Sequence, residues 1–191
     1  MLEALTTHSK LMHASDEQRN NKDVVLLEVK HRGRELEYAS DELKNDKEVV
    51  LTAVHSDGMV LQCTNDGLKN DKEVVLMAVR CNGGALQFAS DELQNDKEVV
   101  LEAIRQNEEA IDYISKNLRN DKEVAMEAVK NNGELLQVSK KMRDDYDIVM
   151  AAAAHNVFTF QYASDRLRND KDTVLAVVAK QGEALRFASD R

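Results

Sequence analysis

The residues that could do chemistry in this chain recur instead of converging. Asn-Asp-Lys-Glu-Val-Val-Leu stands at Asn45–Leu51, Asn70–Leu76 and Asn95–Leu101, with variants beginning at Asn20, Asn120, Asp144 and Asn169. Two carboxylates around a lysine could exchange protons or, with the lysine stripped of its proton, attack a carbonyl. An active site is a single constellation, however, and this block is periodic. Each of its residues also has a local task. Asn45 with Glu48 three residues later reads as a capping box, which starts a helix. Asp46 suits the positive end of that helix, and a cation recurs near the other end as Lys30, His55, Arg80, Arg105 and Lys130.

The other reactive side chains are scattered. His8 and His13 lie in residues 1–20, and His31, His55 and His155 fall in three different repeats. If stacked helices advance about 10 Å per repeat, His31 and Cys81 are too far apart to share a metal. The Asp/Asn clusters lack the spaced ligands and glycine of a calcium loop. His13 shares its slot with Tyr38, Cys63, Phe88, Tyr113, Tyr162 and Phe187, which makes it a packing residue. No catalytic residue, metal ligand or cofactor is assigned, and the chain is expected not to be an enzyme.

The elements that carry these residues follow from the period. The block centres are Lys22, Lys47, Lys72, Lys97, Lys122, Tyr146 and Lys171, spaced 25, 25, 25, 25, 24 and 25 apart. Self-similarity over a whole chain marks a stacked-repeat architecture. Val50, Leu51 and Val54, widened by Val49 and Ala53, form an apolar helix face that returns in every repeat. Gly33, Gly58, Gly83, Gly133 and Gly182 then stop the helix, as residues that tolerate a left-handed turn. A second segment such as Ala85–Gln94, with Leu86, Phe88, Ala89 and Leu93, reads as a second helix. The expected fold is all-α: a right-handed-type α-solenoid of about seven 25-residue helix-turn-helix repeats, forming one array over 1–191. Residues 1–20 read as an N-terminal capping half-unit, and the chain ends in mid-repeat, as a fragment or an end covered by a partner would. Helices this short are marginal alone, so each repeat depends on its neighbours.

Composition narrows the function. A net charge of −9 disfavours nucleic acid, which asks for a basic face. No apolar run approaches the ~20 residues that span a bilayer. Cys63 and Cys81 occupy non-equivalent slots, which fits a reducing, intracellular compartment better than a disulfide framework.

Ala39–Ala53 (ASDELKNDKEVVLTA) and Ala89–Ala103 (ASDELQNDKEVVLEA) resemble a tandem-repeat family known only as a domain of unknown function. The resemblance implies a helical repeat module and transfers no chemistry. Glu108 and Val157 in place of the turn glycine, Tyr146 in place of the lysine, and a residue missing between Val138 and Ser139 depart from the pattern.

Two of those departures, Tyr146 and Val157, fall in the sixth repeat, which also holds the aromatics outside the shared Tyr/Phe slot. Tyr146 replaces an exposed lysine, Phe158 stands in a slot expected to face water, and His155 is that repeat's displaced helix-end cation. Aromatics that break a polar rule are candidate anchors for a protein partner, so these three form the expected partner-binding site. Ser15, Ser40 and Ser90, each before Asp-Glu, are candidate phosphorylation sites. The expected role is a non-catalytic protein-interaction or scaffold module, such as a structural subunit of a larger assembly, with a substrate-recognition or regulatory array attached to a catalytic domain as the alternative.

Overall fold

The structure is a computed structural model that describes residues 11–180 and 182–188. Every regular element among the described residues is helical. Seven long helices carry the repeat: α1 Lys22–His31, α2 Lys47–Ser56, α3 Lys72–Cys81, α4 Lys97–Gln106, α5 Lys122–Asn131, α6 Tyr146–His155 and α7 Lys171–Val178. The fold is thus an all-α tandem repeat. The chain divides between Tyr113 and Ile114 into two compact units. α1 to α4 stack in the first and α5 to α7 in the second, each helix against the next.

Each long helix after α1 begins because an acid caps it, one residue later than the capping-box reading places the start. Asp46 Oδ1 accepts from the Glu48 and Val49 N–H groups at 3.0 and 3.2 Å, and Asp71, Asp96, Asp121 and Asp145 repeat this. A carboxylate at a helix N-terminus also meets the positive end of the dipole, which an asparagine does not exploit. Only α1, which has no aspartate there, uses an asparagine, Asn21. Behind the cap, Val49, Val50, Ala53 and Val54 are fully buried, as are their counterparts in α3. The long helix is the buried one, as its broad apolar face requires.

The second helix of the expected hairpin takes a different form. It is a six-residue 3-10 helix, as at Gly33–Tyr38, Gly58–Cys63 and Gly83–Phe88, followed by an extended break and a short turn such as Leu93–Asn95. Asn82 and Asp57 start it by accepting the N–H two residues on, and the i→i+3 bond from Ala89 N to Leu86 O closes it. The Ala-Ser pair is the break: Ala39 and Ala89 are extended, at ψ 163° and 158°. Short stretches favour the tighter 3-10 bond, because so few α-type bonds would close within them.

The glycines do not serve the left-handed turn expected of them: none has a φ in the left-handed range. A Cβ on Gly33, Gly58 or Gly83 would lie 2.5, 2.2 or 2.3 Å from the carbonyl oxygen of Ala53, Ala78 or Ala103 in the next long helix. In the second unit a Cβ on Gly133 would meet Ala152 O at 2.7 Å. Glycine therefore lets two backbones touch. Where Val157 replaces it, the side chain fills the joint, and α6 and α7 touch less than α5 and α6 do. Phe160 is fully buried in the core of this unit, together with Ile148, Val149 and Ala152.

Residues 1–10 of the expected N-terminal half-unit lie outside the described residues. Its remainder holds Leu11–His13 in a 3-10 turn and Asp16–Arg19 in a short helix. His13 is exposed, so its slot is a rim, not core.

Candidate functional site

The Asn-Asp-Lys-Glu block joins one repeat to the next. Lys22 Nζ reaches Asp46 and Glu48, both at 2.8 Å; Lys47 reaches Asp71 at 2.6 Å and Glu73 at 2.8 Å; Lys72 reaches Asp96 at 2.8 Å and Glu98 at 2.9 Å. In the second unit Lys122 reaches Asp145 at 2.9 Å and Asp147 at 2.7 Å. Hydrogen bonds to these carboxylates push each of the four lysines above its ordinary pKa. A nucleophilic lysine needs the opposite shift. The Lys22 hydrogen bond holds the Asp46 carboxyl below its usual range. At Asp71, Asp96 and Asp145 burial pushes upward, but the lysine and the helix N–H groups together outweigh it and the net shift is downward.

The block's first residue adds a second tie. Asn20 Oδ1 accepts from Ser40 Oγ at 2.6 Å, Asn120 accepts from Ser139 at 2.8 Å, and Asn70 accepts from Ser90. The same serine hydroxyl accepts from the backbone three residues on, as Ser40 does from Leu43 N at 3.3 Å. Two of the three candidate phosphorylation serines thus hold a joint. Ser15 caps its own short helix through Gln18 N.

Tyr146 and His155 stand at opposite ends of one helix. Tyr146, 47% exposed, opens α6 and His155 closes it, about 13 Å apart at 1.5 Å per residue. Phe158, 37% exposed, turns instead to the last repeat: its ring meets Phe187 edge-on at 5.9 Å, and the Arg186 guanidinium lies 4.8 Å from one ring centroid and 4.6 Å from the other. Such an aromatic–cation cluster is itself worth about 1 kcal/mol of packing. With tyrosine in the lysine slot, Asp170 has no lysine from the preceding repeat and takes its hydrogen bonds from Thr173, whose side chain and N–H hold it below the ordinary range.

Two features escaped the sequence reading. In the first full repeat Glu28 and Glu35 occupy slots that are Ala53 and Val60 one repeat later, and both are buried. Arg32 sits between them, bonded to Glu28 and 4.0 Å from Glu35, while Glu35 Oε2 accepts from Leu11 N at 2.6 Å. Glu35 thus caps the turn at Leu11–His13. The second feature is a groove of about 650 Å³ across α1, α2 and α3. Leu26, Leu27, Leu51 and Met77 floor it, with Lys30 and His55 on the rim where those helices end. Leu27 is 51% exposed.

One slot marks where the groove stops. It holds Leu27, Thr52 and Met77 in the first three long helices, then Glu102 in α4 and Glu127 in α5. Glu102 lies 3.4 Å from Arg80 and 3.8 Å from Arg105, and Glu127 lies 3.8 Å from Lys130. Reading that slot down the repeats was the signal available in the sequence.

Among the described residues no cluster of three or more His, Cys, Asp or Glu could hold a metal, and no helix is long and apolar enough to cross a membrane. The family model described as Domain of unknown function (DUF4116) matches seven times in tandem, at residues 1–44, 29–69, 46–94, 71–119, 96–143, 121–164 and 145–191. No curated protein and no solved structure matches the chain.

Proposed function

We propose a binding role from the premise that the chain belongs to the DUF4116 family along its whole length: it is a non-catalytic protein-interaction module that holds another protein on its long-helix face. The observation that carries this reading is the open groove over α1, α2 and α3, where Leu27 leaves an apolar side chain half in water. Apolar patches rimmed by charge are characteristic of docking surfaces. The lysine ladder supports the same reading, because it fixes the helices that frame the groove and keeps its lysines protonated.

The test is site-specific photo-crosslinking. A benzophenone side chain at Thr52, in the middle of the groove, should trap a discrete protein partner in an extract of the source cells. The Leu27→Glu variant should lose that product. No discrete product, or one undiminished by Leu27→Glu, would refute the proposal.

A further inference from the structure

We infer that the occupant of this groove is an amphipathic helix of about four turns with an acidic flank. The inference rests on the docking role proposed above and names its partner's chemistry. The walls are helices whose backbone groups are already bonded, so no strand edge is available to an extended peptide, whereas an apolar floor suits the i, i+3, i+4 stripe of a helix. Three long helices at about 10 Å spacing make a floor roughly 20 Å long, which about 13 residues of α-helix would cover.

The acidic flank follows from what the repeats do elsewhere. In α4 the chain places its own Glu102 in the groove slot, and that carboxylate pairs with Arg80 and Arg105 at the helix-end rim. Over α1 and α2 the slot is Leu27 and Thr52, so no acid of the chain occupies it, and among the described residues Lys30 and His55 have no acidic side-chain partner. A carboxylate supplied from outside would restore the contact that Glu102 makes internally. Toward the other end of these helices, Glu48 and Glu73 pair with Lys22 and Lys47, and Asp23, which lines the groove, would repel a second row of acids. The charge is therefore wanted on one flank only, which also sets the direction in which the helix lies.

The experiment displays a library of fourteen-residue helical peptides with leucines fixed on one face and Glu, Gln or Lys varied on the two flanks. It selects on the full chain and counter-selects on Leu27→Glu. The surviving pool should carry glutamate on one flank. A binder from it should lose more than about tenfold in affinity to Leu27→Glu and about fivefold to Lys30→Glu, with the Lys30→Glu loss recovered when the peptide glutamates become lysines. Circular dichroism of both variants should match the parent, since both side chains are exposed. A groove-dependent pool with no acidic bias, or a basic one, overturns this inference and leaves the docking role standing. No groove-dependent binder overturns both. A dimer in sedimentation that Leu27→Glu dissolves would assign the groove to a second copy and overturn the acidic-helix inference.

Discussion

A glycine beside a carbonyl decides how closely two repeats approach. Gly58→Ala should cost about 1–3 kcal/mol in urea unfolding, because its Cβ would lie 2.2 Å from Ala78 O and the backbones would have to part. Gly182→Ala, with nothing within 4 Å, should change stability by less than about 0.5 kcal/mol. If the two substitutions cost the same, contact is not what selects glycine. The positions of these glycines were legible in the sequence but their task was not, because a turn and a close approach ask for the same residue. Glu35 was misleading in a different way. A glutamate in an apolar slot looks like a surface residue until Leu11 N appears 2.6 Å from it. Glu35→Ala should lower stability by about 1–3 kcal/mol by leaving Leu11 N without that acceptor, and Glu35→Gln should recover most of the loss.

At the scale of the element, the ladder sets the pH range of the fold. The carboxyls of Asp46, Asp71, Asp96 and Asp145 lie below their unfolded value of about 3.9, so their contribution is complete above that pH and is lost as pH falls through the folded value. The lysines lie above their unfolded value of about 10.4, so theirs is complete below it and disappears in stronger alkali. Lys72→Ala should raise the acid midpoint seen by circular dichroism, since Asp96 loses the ammonium that depresses it. In 1 M salt the difference between variant and parent should shrink. Tyr146→Lys should supply the rung missing before Asp170 and raise the thermal midpoint of the second unit; an unchanged midpoint would mean that Asp170 is already satisfied by Thr173. The long helices were readable because cap, apolar face and terminal cation all agree on them. The 3-10 segments were not, because over six residues an i+3 and an i+4 pattern contain the same apolar positions.

At the scale of the whole molecule, each repeat is supported by its neighbours along the chain. Leu61→Ala removes a fully buried side chain and should cost about 2–5 kcal/mol. Hydrogen exchange should accelerate most in α2 and α3, which flank that joint, and least in α7. Uniform acceleration would show that the chain opens as a single cooperative body. The period and the all-α class were plain from the spacing of Lys22 to Lys171. The groove was not, since it arises where one slot is uncharged in three successive helices and acidic in the next two, a difference that only side-chain exposure turns into a surface.

The glycine–alanine contact has a consequence for ancestry. In the copies that keep the glycine, both halves of it lie about twenty residues apart in consecutive repeats, so such a copy spliced in or lost by unequal recombination meets its new neighbours through an interface they already possess. Length can therefore drift by whole modules without compensating mutation. A chain assembled in this way inherits its stability at duplication, and selection is free to act on the few slots, such as that of Leu27, where the copies have come to differ.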